Sequence, residues 1–255
     1  MKKIQQDLKI LANDEIAKET YKMILDAREL DRTIEAGMFF DLTVPDAKYI
    51  LKRPISVFFV DPVKKEISLI YKIMGDGTRV LAGMKTGDLI EVMGPLGNGF
   101  PIQNDSDEIL LIGGGVGVPP LFELGCRLKA AGKKVTTVLG FRDKASVFCE
   151  ADFKSLGDTI ICTDDGSYGY HGLVTGAITQ HQLEFDTLYA CGPGPMLKAV
   201  DLTYRTTKQG YLSFEERMAC GIGACYGCMT ETKDGLKRVC KDGPVFKLGE
   251  AVYND

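Results

Sequence analysis

Ile109-Leu110-Leu111-Ile112-Gly113-Gly114-Gly115-Val116-Gly117-Val118-Pro119-Pro120 runs from an apolar block through a glycine turn into a proline pair. Four consecutive apolar residues suit a strand covered on both faces, as in a parallel sheet. Proline suits the first turn of a helix, where its missing N–H goes unused. Leu121, Leu124 and Leu128 then fall at i, i+3 and i+7 and make one apolar helical face. Further short apolar runs begin near Val135, Thr159 and Thr187, roughly 25 residues apart, a rhythm of repeated βα units. Leu197, Val200 and Tyr204 mark another helix between Pro195 and Tyr204.

Bare glycine backbone at a helix N-terminus suits an anion such as a pyrophosphate, so Gly113, Gly114, Gly115, Gly117 and Pro119 are candidate nucleotide contacts. The plain G-x-G-x-x-G fingerprint fails, because Pro120 stands where the last glycine belongs. A tight strand-to-helix turn that binds nothing is the competing reading. A second loop, Cys191-Gly192-Pro193-Gly194-Pro195-Met196, closes the fourth run at the sheet edge where α/β proteins bind ligands. Cys191, Gly192, Pro193 and Met196 join the candidates, with core packing the alternative for Cys191 and Met196. Thr163-Asp164-Asp165-Gly166-Ser167 ends the third strand and either faces the nucleotide or is a plain turn.

Upstream the rhythm is that of short strands. Ile55 to Val60 is a compact apolar run, and Ile67, Leu69, Tyr71 and Ile73 alternate with period two. Leu89 to Met93 follows another turn, and the spacing suits a small barrel or sandwich. Arg53-Pro54-Ile55-Ser56 offers an arginine for a pyrophosphate and a hydroxyl for a ring system. Taken alone, a surface Arg-Pro explains it as well. Gly75-x-Gly77-Thr78 opens a short helix and is a further anion site.

The chain has 255 residues, with 31 Lys and Arg against 35 Asp and Glu, for a net charge of −4. Hydrophobic residues at 45% and charged residues at 26% describe a folded protein. A net negative chain is a poor fit to nucleic acid. No apolar stretch approaches the roughly 20 residues of a membrane span, and Met1 to Glu15 contains no sustained apolar segment, so cytoplasmic localisation is expected.

Eight cysteines stand against two histidines. Cys126, Cys149, Cys162 and Cys191 lie among apolar neighbours and suit small buried hydrophobes. The other four fall in the pattern Cys220-x4-Cys225-x2-Cys228-x11-Cys240. C-x4-C-x2-C with a later fourth cysteine is plant-type [2Fe–2S] spacing, though in ferredoxins the fourth lies farther on. Glycines at 221, 223 and 227 free backbone N–H groups to face sulfur. Structural zinc usually takes two separated pairs, so three bunched ligands and one distant one suit it poorly. Four unrelated cysteines are the remaining alternative.

Gly115-x-Gly117-x-x-Pro120, the C-G-P-x-x-M element, R-P-x-S and G-x-G-T occur in the order of the ferredoxin-reductase flavoprotein superfamily. With the cysteine tail added, and most sharply over residues 213–228, the chain resembles the electron-transfer subunits of NAD-linked dihydroorotate dehydrogenase B complexes. The resemblance implies an FAD-binding antiparallel β-barrel (1–103), an NAD-binding parallel α/β domain (104–210) and a small C-terminal [2Fe–2S] module (211–255). It implies FAD at Arg53, Pro54, Ile55, Ser56, Ile70, Tyr71, Lys72, Gly77 and Thr78, with a cluster on Cys220, Cys225, Cys228 and Cys240. It also implies a flavin-mononucleotide subunit that oxidises dihydroorotate in pyrimidine biosynthesis, assembled two plus two as a heterotetramer.

Chemistry agrees with the need for a partner. Nicotinamide exchanges electron pairs as hydride and a cluster exchanges single electrons, so flavin is the converter between them. No candidate general base stands out, and 255 residues cannot also hold a (β/α)8 barrel of about 250. The expected path runs from partner flavin to cluster, then FAD, then NAD+. An NAD(P)H reductase component of an oxygenase or hydrogenase would carry the same cofactors, and a zinc-stabilised interaction module would carry none of the redox chemistry. Arg142, after the second strand of the nucleotide domain, suits a 2′-phosphate that Asp143 would oppose; NAD is chosen on the resemblance.

Overall fold

The computed structural model describes residues 4–102 and 106–253. The divide expected between 103 and 104 lies outside the described residues. Six strands close into an antiparallel barrel: β1 (Gln5–Ala17), β2 (Thr20–Asp26), β3 (Phe39–Leu42), β4 (Arg53–Asp61), β5 (Glu66–Lys72) and β6 (Leu89–Leu96), in the order β1-β2-β5-β4-β3-β6. Of the two readings left open by sequence, barrel or sandwich, the chain takes the first, and closure leaves no strand edge unpaired. The alternation in β5 has a cause in its pairing with β2. Leu25 faces Ile67, Met23 faces Leu69 and Tyr21 faces Tyr71 across the ladder, and the first two pairs are fully buried. Helix α1 (Asp76–Gly83) plugs one end of this core with Leu81.

The second layer system is a sheet of β7 (Glu108–Gly114), β8 (Lys134–Phe141), β9 (Thr159–Thr163), β10 (Tyr170–His171), β11 (Thr187–Cys191) and β12 (Gln209–Ser213), all parallel. Helices α2 (Pro119–Ala130), α3 (Glu150–Lys154), α4 (Val174–Gln180) and α5 (Gly194–Tyr204) cross between these strands. The apolar block of β7 is buried on both faces, as its composition demands. Ile109 and Leu111 join α2 in one core, whereas Leu110 and Ile112 join α4 and α5 in another. The first of these cores continues into the barrel through Phe58, Ile70 and Phe100. β11 returns to the far side of β7 from β8, so the two glycine-containing loops end neighbouring strands where the strand order reverses.

The tail contains the hairpin β13 (Met229–Thr232) and β14 (Gly235–Arg238) and a final strand, β15 (Val245–Lys247). The 210/211 divide falls within β12, and β15 extends the same sheet antiparallel to β12. So short a segment cannot build its own core. It borrows one: Cys228, Val239, Cys240 and Phe246 pack on Phe39, Met93 and Leu96 of the barrel wall. Asn98 ties the two together by donating to the carbonyls of Lys241 and Asp242 at 3.0 and 3.2 Å.

Candidate cofactor sites and the cysteine loop

A groove of about 740 Å³ crosses the barrel face beside the tail. Arg53, Pro54, Ile55, Ser56, Ile70, Tyr71, Lys72 and Thr78 all line it. Gly77 does not line the groove but makes room in it: a Cβ there would strike the Arg53 guanidinium. Arg53 is held by the Leu51 carbonyl at 2.6 Å and lies over the Tyr49 ring at 5.9 Å. The Thr78 hydroxyl is spent locally, donating to Gly75 O at 2.9 Å and accepting from Met74 N at 2.9 Å. The first-turn N–H groups of α1 are what remains for an anion, with the Arg53 cation beside them. Tyr71 turns inward, donating its phenol to Asn13 Oδ1 at 2.8 Å, and burial raises its pKa above the usual phenol range. The guanidinium cradle over Gly77 and the size of the groove fit a flavin dinucleotide.

A second pocket, of about 410 Å³, opens at the carboxyl ends of β7, β8 and β11. Gly114, Gly115, Pro193 and Met196 line it, and Arg142 and Asp164 stand in its wall. Gly115 has φ 52°, and a side chain there would project into open space. The other predicted residues lie behind the lining. A Cβ on Gly117 would strike the backbone of Cys191 and Gly192, and one on Gly114 would meet Met196 Sδ at 2.6 Å and Pro193 Cδ at 2.9 Å. Gly113 is closed by Val118, and Pro119 is buried at the start of α2. The two loops thus pack against each other because glycine lets their backbones touch. Cys191 is 1% exposed, and burial keeps its thiol protonated. Bare glycine backbone flanked by a helix N-terminus fits a nicotinamide dinucleotide. Beside Arg142, the Asp143 carboxylate is occupied by Ser146, accepting from its N–H at 2.9 Å and its hydroxyl at 2.8 Å.

Sequence reasoning missed several walls of both sites. Thr20, Ser146, Phe148 and residues 172–175 line the nucleotide pocket, while Leu51, Met74 and residues 213–218 line the groove. The run Ser213-Phe214-Glu215-Glu216-Arg217-Met218 was a usable signal, since it precedes the cysteine loop directly. Lys72 and Val116 belong to both linings, so the two cavities meet there.

The groove wall at 213–218 leads straight into Cys220. Backbone N–H groups point at sulfur through the loop: Ala224 and Cys225 donate to Cys220 Sγ at 3.2 and 3.4 Å, and Gly223 donates to Cys240 Sγ at 3.1 Å. Burial opposes ionisation of Cys220, yet these amides outweigh it and draw the thiol down to about 6. Gly227 N–H donates to Cys225 Sγ and Cys240 N–H to Cys228 Sγ, both at 3.4 Å, so each of the four sulfurs accepts from backbone. Four sulfurs that each accept backbone N–H groups suit the negative charge of an iron–sulfur cluster. Arg238 braces the loop from below, pairing with Asp242 at 2.9 Å, donating to Gly223 O at 3.1 Å and lying over Tyr226 at 5.2 Å.

The fold neighbours agree with this arrangement. The solved structure of an NADH-dependent reduced ferredoxin-NADP oxidoreductase superposes with a TM-score of 0.88 at 30% identity, covering 96% of this chain and 90% of that one. Phthalate dioxygenase reductase shares the fold at a TM-score of 0.68 and 16% identity, covering 98% and 96%. A closed barrel, a parallel nucleotide-type sheet and a cysteine loop define a ferredoxin-reductase-type oxidoreductase with an iron–sulfur domain.

Residues 215–252 match the model of the iron-sulfur cluster binding domain of dihydroorotate dehydrogenase B. The chain is 44% identical over 259 residues to the dihydroorotate dehydrogenase B (NAD(+)) electron transfer subunit of Shouchella clausii, covering 99% of this chain and 100% of that protein. It is 48% identical over 251 residues to the subunit of the same name from Bacillus velezensis, covering 96% and 98%. The chain belongs to this family of electron transfer subunits. Among the described residues no helix is long and apolar enough to cross a membrane.

Proposed function

We propose that this chain is the electron-transfer subunit of a cytoplasmic dihydroorotate dehydrogenase in pyrimidine biosynthesis, working beside a separate FMN-containing catalytic subunit in a two-plus-two heterotetramer. One observation carries the reading. The flavin-type groove is bordered at Lys72 and Val116 by the nucleotide pocket and at residues 213–218 by the segment entering the cysteine loop. A group in that groove therefore has a hydride partner on one side and a one-electron partner on the other.

When bound, FAD exchanges hydride with NAD(H) and single electrons with a [2Fe–2S] cluster, which takes them from the partner's oxidation of dihydroorotate. The chain's own residues bind and orient. Arg53 and the α1 N-terminus at Gly77 and Thr78 hold the flavin pyrophosphate. Pro54, Ile55, Ser56, Ile70, Tyr71 and Lys72 form the wall for its ring system. Gly114 and Gly115 accept the NAD pyrophosphate, Pro193 and Met196 flank the nicotinamide end, and Gly113, Gly117, Pro119, Cys191 and Gly192 shape that loop from behind. Cys220, Cys225, Cys228 and Cys240 would hold the cluster. The other four cysteines, Cys126, Cys149, Cys162 and Cys191, form no disulfide, in keeping with a reducing compartment.

The test is anaerobic reconstitution with the catalytic subunit. Dihydroorotate should then reduce NAD+, and neither subunit alone should support that reaction. A pair that reduces other acceptors but never NAD+ would refute the assignment.

A further inference from the structure

The two cavities are carried by elements that are bolted together away from both. β4 supplies residues 53–56 to the flavin groove at one end and reaches Val60 near the other. α2 leaves the glycine loop at Pro119 and lies across β4. Their contact is mostly apolar. Phe58 stacks on Phe122 with centroids 4.7 Å apart, and Phe59 tilts against the same ring at 5.8 Å. Such contact is strong but non-directional, so by itself it leaves the register of helix on barrel loosely specified.

Into this seam the fold places one carboxylate. Glu123, 5% exposed on α2, accepts from Val60 N at 3.0 Å through Oε2 and from Arg127 Nε at 2.7 Å through Oε1. Arg127 Nη2 then donates to Ile34 O at 2.7 Å, between β2 and β3. One acid–base pair on the helix thus grips the barrel backbone at two points. A buried carboxylate is expensive without its donors, so only the docking that completes all three bonds is tolerated. Buried pairs of this kind contribute little net stability but can specify one arrangement over its neighbours.

We propose that Glu123 is a positioning residue: with Arg127 it sets how α2 docks on the barrel and hence the spacing of the flavin groove from the nucleotide pocket. The inference rests on the reading of both cavities as cofactor sites. Hydride transfer needs its two carbons or nitrogens nearly in contact, and a displacement of about 1 Å can slow such a step by as much as a hundredfold. Gly114 and Gly115 are untouched by the clamp, so NADH affinity should not follow the rate.

The experiment compares wild type with Glu123→Leu, full-length and loaded with FAD, mixed anaerobically with NADH in a stopped-flow instrument. The limiting rate of flavin reduction should fall roughly ten- to a hundredfold with unchanged half-saturation. Amide exchange over residues 57–61 should rise in the same variant, in flavin-free as well as loaded protein. Glu123→Gln, which keeps one acceptor for the Val60 N–H but turns an NH2 toward Arg127, should recover part of the rate. A Glu123→Leu protein with the wild-type limiting rate, or one slowed only through weaker NADH binding, would overturn the proposal. Should that variant not fold, Arg127→Met, which releases Ile34 and the Arg127 bond to Glu123 Oε1 but leaves the Val60 bond in place, is judged by the same readouts. Wild-type protein that takes no hydride from NADH would refute the proposed function instead, while exchange in the flavin-free chain would still judge the clamp.

Discussion

Two glycine-rich loops do opposite work. In the loop at 113–117 the glycines exist so that protein can touch protein: side chains at 113, 114 and 117 would meet Val118, Met196 and the Cys191 backbone. Apolar clusters on both faces of the sheet back this loop. In the loop at 220–228 the glycines exist so that backbone can turn toward sulfur. Gly221 and Gly223 have φ of 64° and 79°, a conformation that favours glycine, and the amides beyond them donate to Cys220 and Cys240. That loop has almost no core of its own and leans on the barrel wall. The first loop is shaped by packing across many elements, the second by backbone amides turned toward sulfur within one short segment.

The comparison breaks most visibly at Cys225. Cys225→Ser should abolish cluster absorbance and the reduction of NAD+ by dihydroorotate with the partner present. NADH should still reduce the flavin at the wild-type rate, because no residue of the cysteine loop lines the nucleotide pocket. Loss of NADH-driven flavin reduction in a folded Cys225→Ser protein would show that the two regions are not independent. The reverse experiment is Gly117→Ala. Its Cβ meets backbone rather than a flexible side chain. Stability should fall by roughly 1–3 kcal/mol in chemical denaturation, and NADH half-saturation should rise, with the cluster spectrum unchanged.

A smaller effect sharpens the view of how the barrel supports the cysteine loop. Asp41 on β3 is 1% exposed and lies against Gly221, where a Cβ would strike its Oδ2. Burial pushes its carboxyl up to about 6, with Lys52 pulling the other way. The folded value is then above the unfolded value of about 3.9, so between the two the folded state holds a proton the unfolded state has lost. Stability contributed by the protonated acid is lost as pH rises through that window and stays lost above it. Asp41→Asn has no charge to bury. It should be more stable than wild type at pH 7 by on the order of 2–3 kcal/mol, with the advantage shrinking as pH is lowered toward 5. Urea denaturation across that range would measure it; a gap independent of pH would mean that the carboxylate finds a partner.

Legibility in the sequence followed the range of the interaction. The β7 block and the proline start of α2 are local patterns and appear where they were expected, whereas β5 ends before Ile73 and buries Ser68 and Ile70 along with Ile67, Leu69 and Tyr71. β1 and β3 were harder to read. β1 buries only scattered positions such as Leu8 and Ile10, and β3 buries all four of its residues because core covers it on both sides. The four clustered cysteines could be found by spacing alone. Thr20, Leu51 and residues 172–175 could not, since each reaches a cavity from a segment distant in sequence and carries no distinctive residue type.

Sequence by itself determined the inventory: an alternating strand system, a βα rhythm with two glycine loops, and a cysteine quartet spaced for a two-iron centre. These are short-range facts, set by periods of two and 3.6 residues and by the reach of a few residues around a ligand. Only the tertiary structure decided that the two cavities share Lys72 and Val116, that the tail strand β15 joins the nucleotide sheet, and that Glu123 pins α2 to the barrel. The reason is that these contacts join residues tens of positions apart. Their energy appears only after chain closure has brought them together, and no local pattern records it.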